Sequence, residues 1–240
     1  MSEVIASTRF NVGFLISETH TCSYLSDQRA RMLFVDPQRP IDLTTYTDLS
    51  HQGFRRNGNV LYAPHCSGCD ACVPSRICMK TFKLNRSQRR CWRQNGDVVV
   101  EQTTVINLQE HYNVYANYIN ARHSDGDMYP ACIQQFRDYL GNAWHCTYYL
   151  EMRVAGKLIG CAVIDMLENA VSATYTYFDP EHEARSLGTL AVLFQAKMAK
   201  ALGLEYVYLG YWIADCDKMQ YKQNFKPLEV YQNKSWHPLK

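Results

Sequence analysis

The chain has 240 residues, of which 47% are hydrophobic and 20% are charged, and its formal net charge at pH 7 is only +2. This balance excludes a disordered chain, and the lack of any run of about eighteen apolar residues predicts no membrane-spanning helix and no membrane partner, so we expect a cytoplasmic protein. In that compartment the ten cysteines are expected to be reduced thiols or metal ligands, not disulfides.

The first part of the chain, up to about Asn95, is rich in turn residues and is predicted to form a small loop-rich domain. It contains Cys66, Cys69 and Cys72 at three-residue spacing. Cys22 lies well upstream of them. Because thiolates on a tight loop form zinc and iron-sulfur sites, these four residues are candidate ligands of a structural metal. The alternative is that they are small buried hydrophobic residues.

A concentrated positive region follows the cysteines. No acid occurs from Ala71 to Gly96, and Asn85 or Ser87 can cap a short helix with its arginines along one side. Unpaired like charges on one face destabilise a helix, so this pattern favours a binding surface for phosphates or carboxylates over a merely solvated face. The seven cations of this region are Arg76, Lys80, Lys83, Arg86, Arg89, Arg90 and Arg93.

The turn signal Asn95-Gly96-Asp97 predicts a boundary between an N-terminal domain of residues 1–96 and a second domain of residues 97–240. The second domain is predicted to contain a strand, two helices, three antiparallel strands, a helix, a strand, a helix and a strand. This order resembles the GNAT acyltransferase fold. We therefore predict an α+β protein in which a GNAT-like acyltransferase domain follows a small cysteine-containing domain.

The segment from Arg185 to Leu190 precedes the long helix, where a GNAT enzyme carries its pyrophosphate loop. The coenzyme A version of that loop needs Gly or Ala at its sixth position, which is Leu190 here. A coenzyme A-dependent N-acetyltransferase is therefore the weaker alternative. A second alternative is an RNA-binding module without enzymatic activity.

Eight strings, which together span nearly the whole chain in order, resemble the arginyl-tRNA–protein transferase family. Within it, the chain is most similar to the short bacterial leucyltransferases that act on aspartate and glutamate. The strings are CSYL (Cys22 to Leu25), MLFVDP (Met32 to Pro37), GFRRNG (Gly53 to Gly58), PHCSGCDACVPSRI (Pro64 to Ile77), RSQRR (Arg86 to Arg90), YINARHSDGDM (Tyr118 to Met128), YLGYWI (Tyr208 to Ile213) and KMQYKQNFKP (Lys218 to Pro227).

The resemblance implies transfer of leucine from leucyl-tRNA to the α-amino group of proteins that begin with Asp or Glu, which marks them for degradation by the N-degron pathway. The choice of leucine rests on the resemblance alone, and an arginyl donor in the same reaction stays open. A pocket for arginine should contain a buried acid, and the sequence does not place Glu151, Asp165 or Glu168.

Eukaryotic members of the family bind a metal cluster at a Cys-Gly-Tyr-Cys string. Here the string is Cys22-Ser23-Tyr24-Leu25, without the second cysteine. The resemblance therefore does not by itself assign a metal, and Cys66, Cys69 and Cys72 are the residues that could compensate.

An aminoacyl ester is already activated, so the enzyme must mainly align the amine and the ester and move a proton, without a cofactor. We select Arg76, Arg89 and Arg90 to bind the acceptor carboxylate, since a guanidinium can bind it through two hydrogen bonds. The residues predicted to contact tRNA are Arg55, Arg56, Lys80, Lys83, Arg185 and Lys218 for phosphates, and Tyr211 or Trp212 for stacking.

The central strands of a GNAT-like fold separate near Tyr175, Tyr177 and Asp179. We therefore select these three as catalytic candidates that position the reactants or transfer the proton. For the two tyrosines, packing across the strands is an equally good interpretation.

Overall fold

A computed structural model describes residues 4–7, 12–141 and 144–239 of the chain. Its first elements, in chain order, are β1 (Val4–Ser7), β2 (Val12–Ile16), β3 (His20–Thr21), β4 (Arg29–Ala30), β5 (Met32–Val35), α1 (Leu43–His51), β6 (Arg55–Asn57) and β7 (Val60–Pro64). Five of these strands form an antiparallel sheet in the order β1-β2-β5-β7-β6, and β3 pairs with β4.

The later elements form a larger sheet with helices. They are β8 (Val73–Cys78), α2 (Arg86–Gln94), β9 (Val99–Thr103), α3 (Leu108–Arg122), α4 (Ile133–Phe136) with a π-helical turn (Arg137–Gly141), β10 (Thr147–Val154), β11 (Lys157–Met166), β12 (Ala170–Phe178), a 3-10 turn (Pro180–Arg185), α5 (Leu187–Ala201), β13 (Tyr206–Trp212), α6 (Asp217–Gln220), a second 3-10 turn (Tyr221–Asn224), β14 (Leu228–Gln232) and β15 (Ser235–Pro238). The strand order is β15-β14-β8-β13-β12-β11-β10-β9.

From β9 onward the elements follow the predicted order, with β15 added at the end. The predicted α+β, GNAT-like fold is confirmed. β8 and α2 precede residue 96, yet β8 lies in the eight-stranded sheet between β13 and β14, and α2 packs against α5. The two predicted domains thus share a sheet, and the boundary between residues 1–96 and 97–240 remains a prediction.

The central strands of the eight-stranded sheet are buried on both faces. Along β13, Val207 and Leu209 contribute to the core beneath α5, whereas Tyr208 between them packs with α1 and the N-terminal sheet. This alternation follows from the two-residue repeat of a strand. The rings of Trp92 in α2 and Phe194 in α5 lie 4.6 Å apart and hold the two helices together.

The two central strands β12 and β13 separate, and we call the point of separation the fork. Their parallel pairing covers only residues 170–172 of β12 and 206–208 of β13, although β12 continues to Phe178 and β13 to Trp212. Just beyond the pairing, β13 shifts its register against β8 at Gly210, whose φ is 77°. Glycine suits this left-handed conformation, so β13 can bend away from β12.

Candidate active site

Arg56 is paired inside the protein. It is 5% exposed, and its Nε and Nη2 donate to the two carboxylate oxygens of Asp165 at 2.6 and 3.0 Å. The hydroxyl groups of Tyr46 and Thr147 donate to the same carboxylate. Burial alone would lower the pKa of Arg56, but the charge of Asp165 raises it above its usual range. The sequence assigns Arg56 to tRNA phosphates; the structure instead makes it an internal partner that joins β6 to β11.

Arg55, the preceding residue of β6, is equally buried but forms no ion pair with an acid in the described part of the chain. It is 4% exposed, and its Nη1 donates to the carbonyl oxygens of Phe54 at 2.8 Å and Ser50 at 3.3 Å. Its Nε and Nη2 have no acceptor among the described residues. The guanidinium carbon lies 4.7 Å from the centre of the Tyr208 ring. Burial lowers its pKa, and it is not the exposed phosphate ligand that the sequence predicts.

Lys222 brings a second buried cation to the same region. It is 5% exposed, and its Nζ donates to the carbonyl oxygen of Tyr211 and lies 3.2 Å from the sulfur of Met219. Burial, and to a smaller extent the charge of Arg55, lower the pKa of Lys222 to about 7. A Cβ on Gly210 would lie 3.7 Å from Nζ, so the amine adjoins the bent part of β13. Sequence reasoning missed Lys222, because nothing in its string indicates burial.

The residues predicted to stack on tRNA bases lie on β13 beyond the fork. Tyr211 is 5% exposed, and its hydroxyl donates to the carbonyl oxygens of Gly53 and Tyr62 at 2.9 and 3.2 Å. Trp212 is half-buried, and its indole nitrogen has no acceptor among the described residues. Tyr211 therefore ties β13 to the N-terminal sheet and presents no open ring.

Four tyrosines from separate parts of the chain surround the fork. We call Tyr24, Tyr62, Tyr139 and Tyr175 the tyrosine cluster. The rings of Tyr139 and Tyr175 lie 5.7 Å apart, and the hydroxyl of Tyr175 lies 3.5 Å from the sulfur of Met128. Electrostatic interactions connect Tyr24 with Tyr62 and Tyr175. Burial raises the pKa of Tyr24 to about 12 and those of the other members above their usual value. At neutral pH the cluster therefore consists of neutral hydroxyl groups.

The other two catalytic candidates are used internally. Tyr177 is 0% exposed, and its hydroxyl lies 2.7 Å from His111 Nδ1, while His111 Nε2 lies 2.9 Å from Glu151. Burial lowers the pKa of His111. Asp179 is buried and caps the 3-10 turn by accepting from a backbone amide at 3.1 Å. Of the three candidates, Tyr175 is the one that borders the fork.

Arg76, predicted to bind the acceptor carboxylate, already has a carboxylate partner. Its Nε donates to Glu229 at 2.7 Å. Its guanidinium carbon lies 3.6 Å from the ring centre of Tyr206 and 4.1 Å from that of Trp236. The structure therefore places Arg76 between two aromatic rings as a partner of β14, where a substrate would have to displace Glu229.

The exposed side of α2 and the loop before it carry a positive surface. Asn85 and Gln88 form a capping box at its start, which agrees with one of the two predicted caps. Arg89 donates to the carbonyl oxygen of Leu84 at 2.5 Å, and no cation of this surface forms an ion pair with a described residue. Cys91 packs α2 beside the turn that precedes α5. We call the following residues the basic face: Lys80, Lys83, Arg86, Arg89, Arg90 and Arg93.

Two further residues predicted to contact tRNA form surface ion pairs. Arg185 donates to both carboxylate oxygens of Asp97 at 2.8 and 2.9 Å. Lys218 donates to both oxygens of Asp125 at 2.9 and 2.8 Å. A phosphate at either position would compete with the carboxylate already there.

The four candidate metal ligands come together around one cavity of about 540 Å³. Burial, and to a smaller extent the nearby Cys22, Cys66 and Cys69, raise the pKa of Cys72 to about 12. Across residues 4–7, 12–141 and 144–239, however, no three Cys, His, Asp or Glu side chains are arranged to hold a metal ion. The four thiols thus line the same cavity, but their sulfur atoms do not point to one common position, and metal binding stays a prediction.

The turn before α5 differs from an open coenzyme A loop. Ser186 adopts a left-handed φ of 55°, and α5 begins immediately at Leu187. Leu190 is 1% exposed and packs into the core beneath the helix. The side chain that departs from the coenzyme A pattern is therefore part of the hydrophobic core.

The order of the elements and the fork between the central strands place the chain in the class of GNAT-like folds. Two family models identify the family within this class. The arginine-tRNA-protein transferase N-terminus model matches residues 20–90, and the C-terminus model matches residues 110–232. The chain belongs to the arginine-tRNA-protein transferase family and is an aminoacyltransferase, which confirms the resemblance seen in the sequence.

Relatives match along most of their length. The chain is 49% identical over 218 residues to the aspartate/glutamate leucyltransferase of Teredinibacter turnerae, covering 90% of each chain. It is 48% identical to the protein of the same name from Saccharophagus degradans, covering 90% of this chain and 92% of that one. For the Pseudomonas fluorescens protein of that name the identity is 45%, with 93% and 95% covered.

Solved structures give more distant matches. The C-terminal domain of a putative lysylphosphatidylglycerol synthetase from Agrobacterium fabrum is 14% identical, with a TM-score of 0.49 over 94% of this chain and 74% of that one. The L-PGS structure from Bacillus licheniformis is 14% identical, with a TM-score of 0.46 over 81% of this chain and 66% of that one.

Among the described helices, none has the length and apolar character needed to cross a bilayer.

Proposed function

We propose that the chain transfers leucine from leucyl-tRNA to the α-amino group of proteins that begin with Asp or Glu, and so marks them for degradation through the N-degron pathway. The observation that carries this proposal is the identity of 45–49% over at least 90% of the chain with proteins named aspartate/glutamate leucyltransferase. The partners are then leucyl-tRNA and proteins with N-terminal Asp or Glu. The reaction takes place in the cytoplasm, where charged tRNA is available.

The buried acids support leucine over arginine as the donor amino acid. The described carboxylates that are buried belong to Glu151, Asp165 and Asp179, and each is already engaged. Glu151 pairs with His111 and Arg153, while Asp165 pairs with Arg56 and Asp179 caps a turn. Glu168 is exposed. An incoming guanidinium would thus find no free buried carboxylate in the described ranges, whereas the neutral side chain of leucine needs none.

The basic face supports tRNA as the carrier of the donor. Its six cations are exposed and lack an acid partner among the described residues, as binding to a polyanion requires. Arg89 and Arg90, which the sequence assigns to the acceptor carboxylate, belong to this open surface. An exposed surface suits tRNA phosphates better than one small carboxylate, because water screens a single charge there.

The reaction needs alignment more than chemical assistance. The neutral α-amine attacks the ester carbonyl carbon, the C–N bond forms, and the bond to the ribose oxygen of the terminal adenosine breaks. The amine loses a proton and the ribose oxygen gains one. We assign the meeting of the two reactants to the fork, where the tyrosine cluster supplies neutral hydroxyl groups that can donate and accept hydrogen bonds. No cofactor takes part in these steps.

For the four cysteines the proposed ligand is a structural zinc ion or iron-sulfur cluster, since all four line one cavity. This role requires the side chains to converge from their present positions, and no step of the reaction depends on it. Metal analysis of the purified protein tests it. We expect about one equivalent of zinc, or about two to four of iron for a cluster, lost in Cys72→Ala, and a metal-free wild type of full activity would reject the role.

The experiment that tests the function uses four peptides that differ only in the first residue, Asp, Glu, Asn or Gln. Each is incubated with the protein and a mixture of charged tRNAs, and mass spectrometry identifies the added residue. We expect leucine on the Asp and Glu peptides alone. Addition of arginine would overturn the donor, and equal addition to the Gln peptide would overturn the acceptor. Acetylation with acetyl-coenzyme A in place of tRNA would overturn the class of reaction.

A further inference from the structure

The edge of the Arg55 guanidinium that best binds a carboxylate, formed by Nε and Nη2, faces the protein interior. Its Nε and Nη2 have no acceptor among the described residues, and both are buried. The neighbouring Arg56 uses the same two atoms to hold Asp165, at 2.6 and 3.0 Å. The chain thus contains a direct example of the pairing that Arg55 lacks. Such two-point binding is the strongest that a guanidinium makes with a carboxylate.

Lys222 makes the surroundings of Arg55 more positive. Its buried Nζ donates to a backbone carbonyl of Tyr211 and lies beside the sulfur of Met219, and no acid among the described residues neutralises it. The two cations are near enough for the charge of Arg55 to act on Lys222. Burying two unpaired like charges costs free energy, because neither keeps its hydration and each repels the other. An anion bound between them would remove that cost.

The two cations also lie at the fork, where the reactants are proposed to meet. The guanidinium of Arg55 lies over the ring of Tyr208, which ends the pairing of β13 with β12. The amine of Lys222 contacts the backbone of β13 at Tyr211, just beyond that point. An anion held there would lie next to the edges of β12 and β13 at the fork, where the aminoacyl ester of the tRNA is proposed to lie.

Resting on the proposed function, we infer that Arg55, with Lys222 beside it, forms the subsite that binds the side-chain carboxylate of the acceptor's N-terminal Asp or Glu. A tRNA phosphate suits this place poorly, because it is flanked by bulky nucleosides and the two cations are almost fully buried. A single terminal side chain is small enough for such a buried site. The subsite would therefore bind the side-chain carboxylate, which is the one group that distinguishes Asp from Asn and Glu from Gln.

The test compares Arg55→Met with the wild type on the Glu and Gln peptides. We expect kcat/KM for the Glu peptide to fall by about 10- to 100-fold, mainly through KM, with little change for the Gln peptide. The Glu to Gln ratio is independent of the fraction of active enzyme. Arg55→Lys, which keeps the charge without two-point geometry, should restore part of the ratio. Lys222→Met should lower the ratio less than Arg55→Met does.

Arg76→Met is the matched control, since it also removes a buried arginine but one that is paired with Glu229. It should leave the Glu to Gln ratio of the wild type intact. An unchanged ratio in Arg55→Met, or a ratio lost in Arg76→Met alone, would overturn the subsite while leaving the proposed function standing. A wild type that adds leucine equally to both peptides would instead reject the proposed acceptor, and the subsite with it.

Discussion

The exposed basic face of α2 and the buried arginine pair of β6 come from one stretch of sequence and meet opposite surroundings. On α2 the guanidinium groups lie in water without acid partners among the described residues. On β6, consecutive side chains point to opposite sides of the strand, so Arg56 meets Asp165 while Arg55 meets Tyr208 and the region of Lys222. The difference teaches that a run of arginines indicates only that the partner is an anion. The burial of each arginine decides whether a large or a small anion can reach it. It also decides whether an acid of the protein itself is that partner.

The largest expected effect separates the two residues of β6. Arg56→Met should lower the free energy of unfolding by about 3–5 kcal/mol, because it leaves the buried Asp165 without its cation. Arg55→Met removes a buried cation that has no acid partner among the described residues, so it should leave stability unchanged or raise it. Urea unfolding of the substrate-free proteins measures both.

The pair of variants is its own control, since the substitution and the strand are the same. Equal losses of stability in the two variants would mean that Arg55 is held by interactions comparable to an ion pair. The contrast within β6 would then disappear, and with it the reason to look for an anion at Arg55.

A second prediction addresses the basic face. The double variant Arg89→Ala and Arg90→Ala should weaken the binding of every tRNA, whatever its base sequence. The slope of log Kd against log salt concentration should fall by roughly 1 for each phosphate that the variant no longer binds. The acceptor preference for Glu over Gln should not change. Filter binding across a salt series measures the slope. Arg185→Ala is the control, because its guanidinium is already paired with Asp97 and its slope should stay near that of the wild type.

The smallest predicted effect is a pH dependence of stability. Burial and the charge of Arg55 lower the pKa of Lys222 to about 7, below the 10.5 of an ordinary lysine. Between these values the unfolded chain binds more protons than the folded one, so the free energy of unfolding rises with pH. The slope from this group is at most about 1.4 kcal/mol per pH unit, and below about pH 7 its contribution is constant.

Lys222→Met should remove this slope. Denaturant titrations of both proteins from about pH 7 to about pH 9 provide the measurement, and the Cys216 and Cys72 thiols that face Lys222 are common to both. Parallel curves for the wild type and the variant would contradict the prediction. They would indicate that Lys222 remains charged when folded, with a counter-charge beside it.

The order of elements was predictable because it depends on local patterns. Helical spacing from Leu108 to Arg122 predicts α3, and the turn residues before Lys157 predict a hairpin between β10 and β11. Residue chemistry narrowed the cap of α2 to Asn85 or Ser87, and the structure uses Asn85. The insertion of β8 between β13 and β14 was not predictable, because pairing between strands so far apart in sequence leaves no local signal.

By itself, the sequence determined the fold class, the family and the presence of a concentrated positive region, since each depends on residue order and composition. The tertiary structure decided which cations are open to a substrate. It buried Arg56 and Arg76 against acids, left the basic face in water, and enclosed Arg55 and Lys222 at the fork without an acid from the described residues. The physical reason is that a charge acts through its neighbours and its hydration, and folding brings those neighbours from distant parts of the chain.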